Sequence, residues 1–210
     1  MRLKMISNEF LLARSYLYGA EDVIELKNFK LDHSELLGST RKFEVDAVNY
    51  QPEKGDRGRK VLDLVGSKDN NSNQSLQSSE LNEMDFTEDT IYLKSMPAFS
   101  KFLHTFEYGR SHVIYMSKGG FFPPHRDGPI FPHFDKECFR IIVPIEGCEE
   151  DDFTLVVGNK IVPLQNGRAY YVNTFKKHYA FSFTDRCKFV ILNIRITLEN
   201  VKALSEYIVK

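Results

Sequence analysis

The chain has 210 residues, with 28 Lys and Arg against 29 Asp and Glu and a formal net charge of -1. That length suits one domain able to bury its own core, and the balanced charge excludes a strong field drawing the chain to nucleic acid or an anionic membrane. The 3 cysteines, Cys138, Cys148 and Cys187, show no CxxC spacing, which argues against a disulfide framework or structural zinc site and for a reducing compartment.

The first ten residues are too broken by polar side chains for a signal peptide. No apolar run approaches the roughly 20 residues that span a bilayer, so the expectation is a soluble, cytoplasmic protein. Helical spacing of apolar residues predicts a helix over 8–18, and β-branched or alternating patterns predict strands over 23–26, 43–50 and 59–65. Residues 66–80 are small and polar with only Leu76 to bury. They read as a mobile surface excursion, more a tolerated insertion than a lid. An amphipathic helix with Pro97 near its start is expected over 96–106.

From His112 onward the texture changes. Short apolar runs at 112–117, 121–124, 138–145, 153–157, 160–164, 169–173, 178–183 and 188–197 are separated by turn residues such as Gly119-Gly120, Gly158-Asn159 and Asn166-Gly167. Many short strands with regular turns predict a mainly β chain. Its expected fold is a double-stranded β-helix, or jelly roll, of the group that includes cupins, with flanking helices. The expected organisation is a single domain: residues 1–94 an N-terminal elaboration, 95–197 the β-helix core, and 198–210 a closing helix.

The informative segment is Gly119 to Gly128 (GGFFPPHRDG). In a strand, residues i and i+2 share a face, so His125 and Asp127 can both point into a barrel while Arg126 points away. A second histidine from a distant strand would complete a set of two imidazoles and a carboxylate. On one side of an iron ion, that set leaves positions open for a cosubstrate and O2. His178, opening the run 178–183, is the candidate. A second HxD pair, His133 and Asp135, sits in loop-like sequence, and an HxE at His33 and Glu35 lies in a probable helical turn. His104 and His112 are read as hydrogen-bonded or exposed side chains.

A dicarboxylate cosubstrate would need a deep cation. Lys188, ten residues after His178, is the first choice and Arg186 the second. Arg140, embedded in an apolar strand, needs an anionic partner and is a further anchor candidate. Tyr115, with Phe121, Phe122 and Tyr171, is placed among the aromatic residues that could line the pocket, and Tyr115 is counted as a cosubstrate contact. Cys187 reads as a small buried hydrophobe.

Over 95–197 the chain resembles the aspartyl/asparaginyl β-hydroxylase family, which includes small proline hydroxylases. The likeness runs in order through Met96-Pro97-Ala98-Phe99, Gly109 to Tyr115, Pro124-His125-Arg126-Asp127-Gly128, Phe139-Arg140 to Pro144, Asn166-Gly167 to Asn173, and His178 with its cation ten positions on. The resemblance implies an enzyme that binds Fe(II) through His125, Asp127 and His178. It would use 2-oxoglutarate and O2 to hydroxylate an amino acid or a peptide or protein side chain, releasing succinate and CO2. The sequence departs from the family at Lys188, where arginine is usual, and at Ile142, where a histidine is common; nothing before about Thr90 matches. Other readings are a different oxygenase of the same fold, a metal-binding cupin that is not an oxidase, such as an isomerase, and a silent jelly-roll module.

Overall fold

The computed structural model describes residues 7–51, 54–67, 83–127 and 137–208. In chain order the first half holds α1 (Asn8–Gly19), β1 (Val23–Glu25), α2 (His33–Lys42), β2 (Val48–Asn49), β3 (Arg59–Asp63), β4 (Val65–Ser67), β5 (Phe86–Asp89), α3 (Ile91–Lys94) and α4 (Pro97–Leu103). The second half holds β6 (His112–Met116), β7 (Phe121–His125), β8 (Cys138–Glu146), β9 (Phe153–Val157), β10 (Lys160–Val162), β11 (Tyr170–Val172), β12 (His178–Ser182), β13 (Cys187–Arg195) and α5 (Leu198–Tyr207).

Two antiparallel sheets face each other as the walls of a double-stranded β-helix. The larger runs β1-β11-β8-β13-β6-β3-β2 and the smaller β10-β9-β12-β7. Strands β6 to β13 alternate singly between the sheets except for the β9–β10 hairpin within the smaller one, so β8 pairs not with its chain neighbours but with β13 and β11. Residues before Thr90 add β1, β2 and β3 to the larger sheet, so that sheet is wider than the 95–197 core alone would make it.

The central strands of the larger sheet, β11, β8, β13 and β6, are dry on both faces. Its inward residues, including Ile114, Ile142, Val172 and Phe189, meet Phe153, Leu155 and Ala180 of the smaller sheet. Its outward residues, including Val113, Ile141, Tyr171, Val190 and Leu192, meet Leu17, Leu36, Leu93, Phe99, Leu103 and Leu204 from the five helices. Strands buried on both sides read as continuous apolar runs, as β8 and β13 do. The smaller sheet has one wet face, and β12 alternates accordingly: His178, Ala180 and Ser182 are buried, Tyr179 and Phe181 exposed. β7 is an edge strand, which is why Pro123 and Pro124 are tolerated in it. Its entry is fixed by close backbone contact: a Cβ on Gly120 would lie 2.5 Å from the Gly58 carbonyl oxygen.

The expected strand over 43–50 is not formed as such. After α2 the chain makes a 3-10 turn over Glu44–Asp46 and only Val48–Asn49 pairs. Val45 is 85% exposed, so its apolar character is not used by a sheet. The run at 59–65 breaks at Leu64, whose N–H turns to the Ser111 carbonyl; β3 stays with the larger sheet and β4 leaves to pair β5. Of the excursion predicted at 66–80, Gly66 and Ser67 belong to β4, and 68–80 lie outside the described residues. The helix expected over 96–106 is α4, with Pro97 in its first turn.

An ionic strut ties α2 to the larger sheet. Arg41 donates to both Glu146 carboxylate oxygens. Lys188 Nζ sits 3.0 Å from Glu146 and 3.2 Å from Glu44. The Arg41 hydrogen bonds first, and Lys188 after them, outweigh burial and hold the Glu146 carboxyl down at about 2. A carboxyl depressed from about 4.5 contributes stability that is complete above that value and lost as pH falls towards 2. Because Arg41 is half exposed, the contribution is discounted to about 1–2 kcal/mol. Glu146→Gln should therefore lower the urea unfolding free energy by about that amount at pH 7 and by little at pH 2.5. An equal deficit at both pH values would show that the strut acts through packing alone.

Candidate metal centre

The edge pairing of β7 with β12 assembles the candidate ligands. His125 and His178 are direct cross-strand partners, and their rings lie 4.2 Å apart between centroids. Asp127 follows two residues after His125, beyond the end of β7, and its N–H donates to the Thr174 carbonyl at 2.9 Å. That bond turns the carboxylate back towards both imidazoles. One ligand atom from each of the three residues can be chosen so that all lie within 4.8 Å of one another. Arg126, between the two β7-side ligands, is exposed.

The surrounding groups set the protonation states that a metal needs. His125 Nδ1 lies 2.7 Å from the Pro123 carbonyl and His178 Nδ1 lies 3.1 Å from the Lys176 carbonyl. A carbonyl only accepts, so each Nδ1 carries the proton and each Nε2 offers its lone pair. Burial lowers the His178 pKa, only partly countered by Asp127. Burial would raise the Asp127 carboxyl, but Arg140, then His178, outweigh it and hold it below the usual carboxylate range. Arg140 Nε is 3.1 Å from Asp127, and the guanidinium is held in turn by the Cys138 thiol and the Asn193 amide oxygen.

The three residues stand at the mouth of a cavity between the sheets. Its apolar walls come from both sheets, with Phe153 and Leu155 facing Ile142, Val172, Phe189 and Ile191. Exposure falls inward: the His125 side chain is 40% exposed, whereas His112 on the opposite wall is 2% exposed.

The structure brings His125, Asp127, His178 and Arg140 together on this cavity and leaves three other expected residues away from it. Lys188 is one residue out of phase with Phe189 and Ile191, which point inward. It shares the helix-side face with Val190 and Leu192, where Glu44 and Glu146 hold it. Arg186 is exposed and pairs with Asp152 at 3.1 Å. Tyr115 lies opposite Lys188 in register and donates to the Thr40 carbonyl at 2.8 Å, again on the helix side. Tyr171 likewise donates to Leu17, and Phe121 is exposed; of the four aromatic residues only Phe122 lines the cavity. The alternative pair His133 and Asp135 lies outside the described residues. His33 begins α2, and its Nε2 meets the Ile145 carbonyl at 2.7 Å.

Sequence reasoning missed Tyr50, Glu83 and His112, all of which line the cavity. Tyr50 ends the run 43–50, of which only Val48–Asn49 forms a strand, and Glu83 arrives from a segment with no strand signature. His104 behaves as expected, 2.9 Å from Asp89, but His112 is buried with neither ring nitrogen bonded to a described residue. The available signal was its place two residues before Ile114 on an inward-facing parity.

No family model matches the sequence, and no curated protein matches it. Solved structures do. A prolyl hydroxylase from Trichoplax adhaerens, in complex with a peptide fragment of the hypoxia inducible factor oxygen degradation domain, aligns over 94% of this chain and 93% of its own at 11% identity, with a TM-score of 0.55. A 2OG-Fe(II) oxygenase family oxidoreductase from Burkholderia pseudomallei aligns over 93% of both chains at 10% identity, with a TM-score of 0.54. A Pseudomonas putida prolyl-4-hydroxylase aligns over 89% of this chain and 98% of its own at 10% identity, with a TM-score of 0.50. At such identities the likeness is one of fold: the chain is a double-stranded β-helix of the form those oxygenases share.

Proposed function

We propose that this chain is an Fe(II)- and 2-oxoglutarate-dependent oxygenase that uses O2 to hydroxylate an amino acid or a peptide or protein side chain, with succinate and CO2 as co-products. The observation that carries the reading is the convergence of His125, Asp127 and His178 at the mouth of the barrel. Two imidazoles whose Nδ1 atoms donate to carbonyls, leaving Nε2 for ligation, and a carboxylate suit a divalent iron ion, and a three-residue set leaves coordination positions for other ligands. When bound, iron and its cosubstrate supply the oxidising power for an unactivated C–H bond.

The chain's own contribution is to orient and to exclude water. Pro123 and Lys176 carbonyls fix the two imidazole tautomers. Arg140 keeps Asp127 ionised and aimed. The apolar walls keep the interior dry, which protects a reactive centre from side reactions. The open side lies at exposed His125, where a bulky substrate can reach, and a peptide or protein side chain fits that access. The peptide complex of the Trichoplax fold relative supports the same class for this chain. We read the chain as a single oxygenase domain. Three free, buried cysteines suit a reducing compartment, and we place the protein in the cytoplasm. No helix among the described residues is long and apolar enough to cross a membrane.

Removing one ligand should cost most of the metal affinity. Asp127→Ala is expected to weaken anaerobic Fe(II) binding by at least roughly 100-fold by calorimetry, while Asp135→Ala leaves it unchanged; the opposite pattern would move the site to the other HxD pair. Anaerobic titration of the Fe(II)-loaded protein with 2-oxoglutarate should produce the weak visible charge-transfer band of a chelate, absent in His178→Ala. Iron binding without the band would exclude the oxygenase reading and support a cupin that is not an oxidase.

A further inference from the structure

The inner end of the cavity holds polar groups that the metal centre does not use. His112 on β6 is 2% exposed, and both its ring nitrogens lack a hydrogen-bond partner among the described residues. Such a group is costly unless something completes it. Tyr50 lies beside it, ring centroids 6.0 Å apart. The Arg59 guanidinium carbon sits 4.8 Å from the Tyr50 ring and 4.2 Å from that of Phe122. Among the described residues, Arg59 Nε and Nη2 are buried without hydrogen-bond partners and Arg59 makes no ion pair. Arg110 lies 5.9 Å from the same Tyr50 ring; its Nε binds Asp63 at 2.9 Å, and its Nη2 has no partner among the described residues.

The charges around this end do not balance once a metal is bound. Asp63 is engaged by Arg110, Asp127 by Arg140 and the metal, and Glu83 accepts from Asn193 at 2.9 Å. The Glu83 carboxylate, whose partner Asn193 is neutral, offsets one cation, so a bound divalent metal leaves this end net positive, with Arg59 nitrogens and the His112 imidazole around Tyr50 unpartnered among the described residues. Meanwhile the inward positions of β13, from which a strand-borne cation could reach the cavity, are Phe189 and Ile191. His112 is in register with Ile191, which is in register with Ile142. Arg140, which touches Asp127, stands two residues from Ile142. At about 3.4 Å per residue, His112 lies roughly 7 Å farther along the strands than the Arg140 row. That offset suits a five-carbon dicarboxylate chelated at one end.

We propose that His112 donates a hydrogen bond to the far carboxylate of 2-oxoglutarate, with Arg59 and Arg110 around Tyr50 supplying the positive field that Lys188 does not. The assignment rests on the oxygenase reading. Burial, then Arg110 and Arg140, keep the free imidazole neutral, so it has an N–H to donate and no charge sealed in the empty pocket. An arriving carboxylate meets a donor and a field already in place, and replaces no protein ligand.

The test compares 2-oxoglutarate with 2-oxopentanoate, which has the same chain length and keto acid end but no second carboxylate. Binding is read by calorimetry on the Mn(II)-loaded protein, without turnover. Wild type should prefer 2-oxoglutarate by roughly 10- to 100-fold, the range of a hydrogen bond to a charged group. His112→Leu should lose most of that preference while binding 2-oxopentanoate as before, His112→Gln should recover part of it, and Lys188→Met should keep it. In the Zn(II)-loaded wild type, the His112 ring ¹⁵N resonances should move with 2-oxoglutarate and not with 2-oxopentanoate; this measurement stands even if His112→Leu does not fold. A full preference in folded His112→Leu, its loss in Lys188→Met, or unmoved His112 resonances would overturn the assignment while leaving the oxygenase reading intact. A metal-loaded wild type that binds neither acid would overturn both.

Discussion

The central strands of the larger sheet are buried on both faces, and strand alternation then decides, residue by residue, what reaches the barrel interior. On β13, Phe189 and Ile191 go to the cavity, while Lys188, Val190 and Leu192 go to the helices. On β6, His112 and Ile114 go inward, while Val113 and Tyr115 go outward. A shift of one residue would exchange the two sets. The helices on the outer face are therefore part of the site's construction, because the outward apolar set has to be covered before the inward set is held in place.

The metal centre uses the opposite kind of strand. β7 lies at an edge and carries two prolines, so it contributes few ladder bonds but has a stiff, preset backbone. Cross-strand pairing with β12 places the two imidazoles opposite each other, and the Asp127 bond to Thr174 returns the carboxylate to them. Edge strands are the more accessible part of a sheet, and here the edge coincides with the cavity mouth. A candidate ligand set at the open rim and a closed polar end within both follow from one sheet being half wet and the centre of the other being dry.

Buried charge is handled differently on the two faces. On the helix side Lys188 is neutralised by Glu44 and Glu146, and Arg41 adds a second cation to Glu146. On the cavity side Arg110 has Asp63 and Arg140 has Asp127, but Arg59 rests on aromatic rings. Burial and Arg110 pull Asp63 in opposite directions; burial prevails, and its carboxyl is raised to about 6. A structural ion pair closes its charge balance within the protein, whereas a binding site leaves some of it open for a ligand.

The jelly roll was legible from residue pattern alone, since short apolar runs between Gly- and Asn-containing turns admit few other architectures. The meeting of His125, Asp127 and His178 was legible too, because i and i+2 in a strand must share a face, and His178 opens the next alternating run. Two things depended on the tertiary structure. The first was phase: with Val190 and Leu192 as apolar as Phe189 and Ile191, nothing in β13 itself says which set faces the cavity, so Lys188 looked as well placed as its neighbours. The second was proximity: Tyr50 and Glu83 reach the cavity, and Arg59 and Arg110 reach the Tyr50 ring, from segments far apart in sequence, with β2 and β3 extending the larger sheet beside β6. Alternation is a local property and can be read along a strand; which face is the interior is set by what packs on the other side.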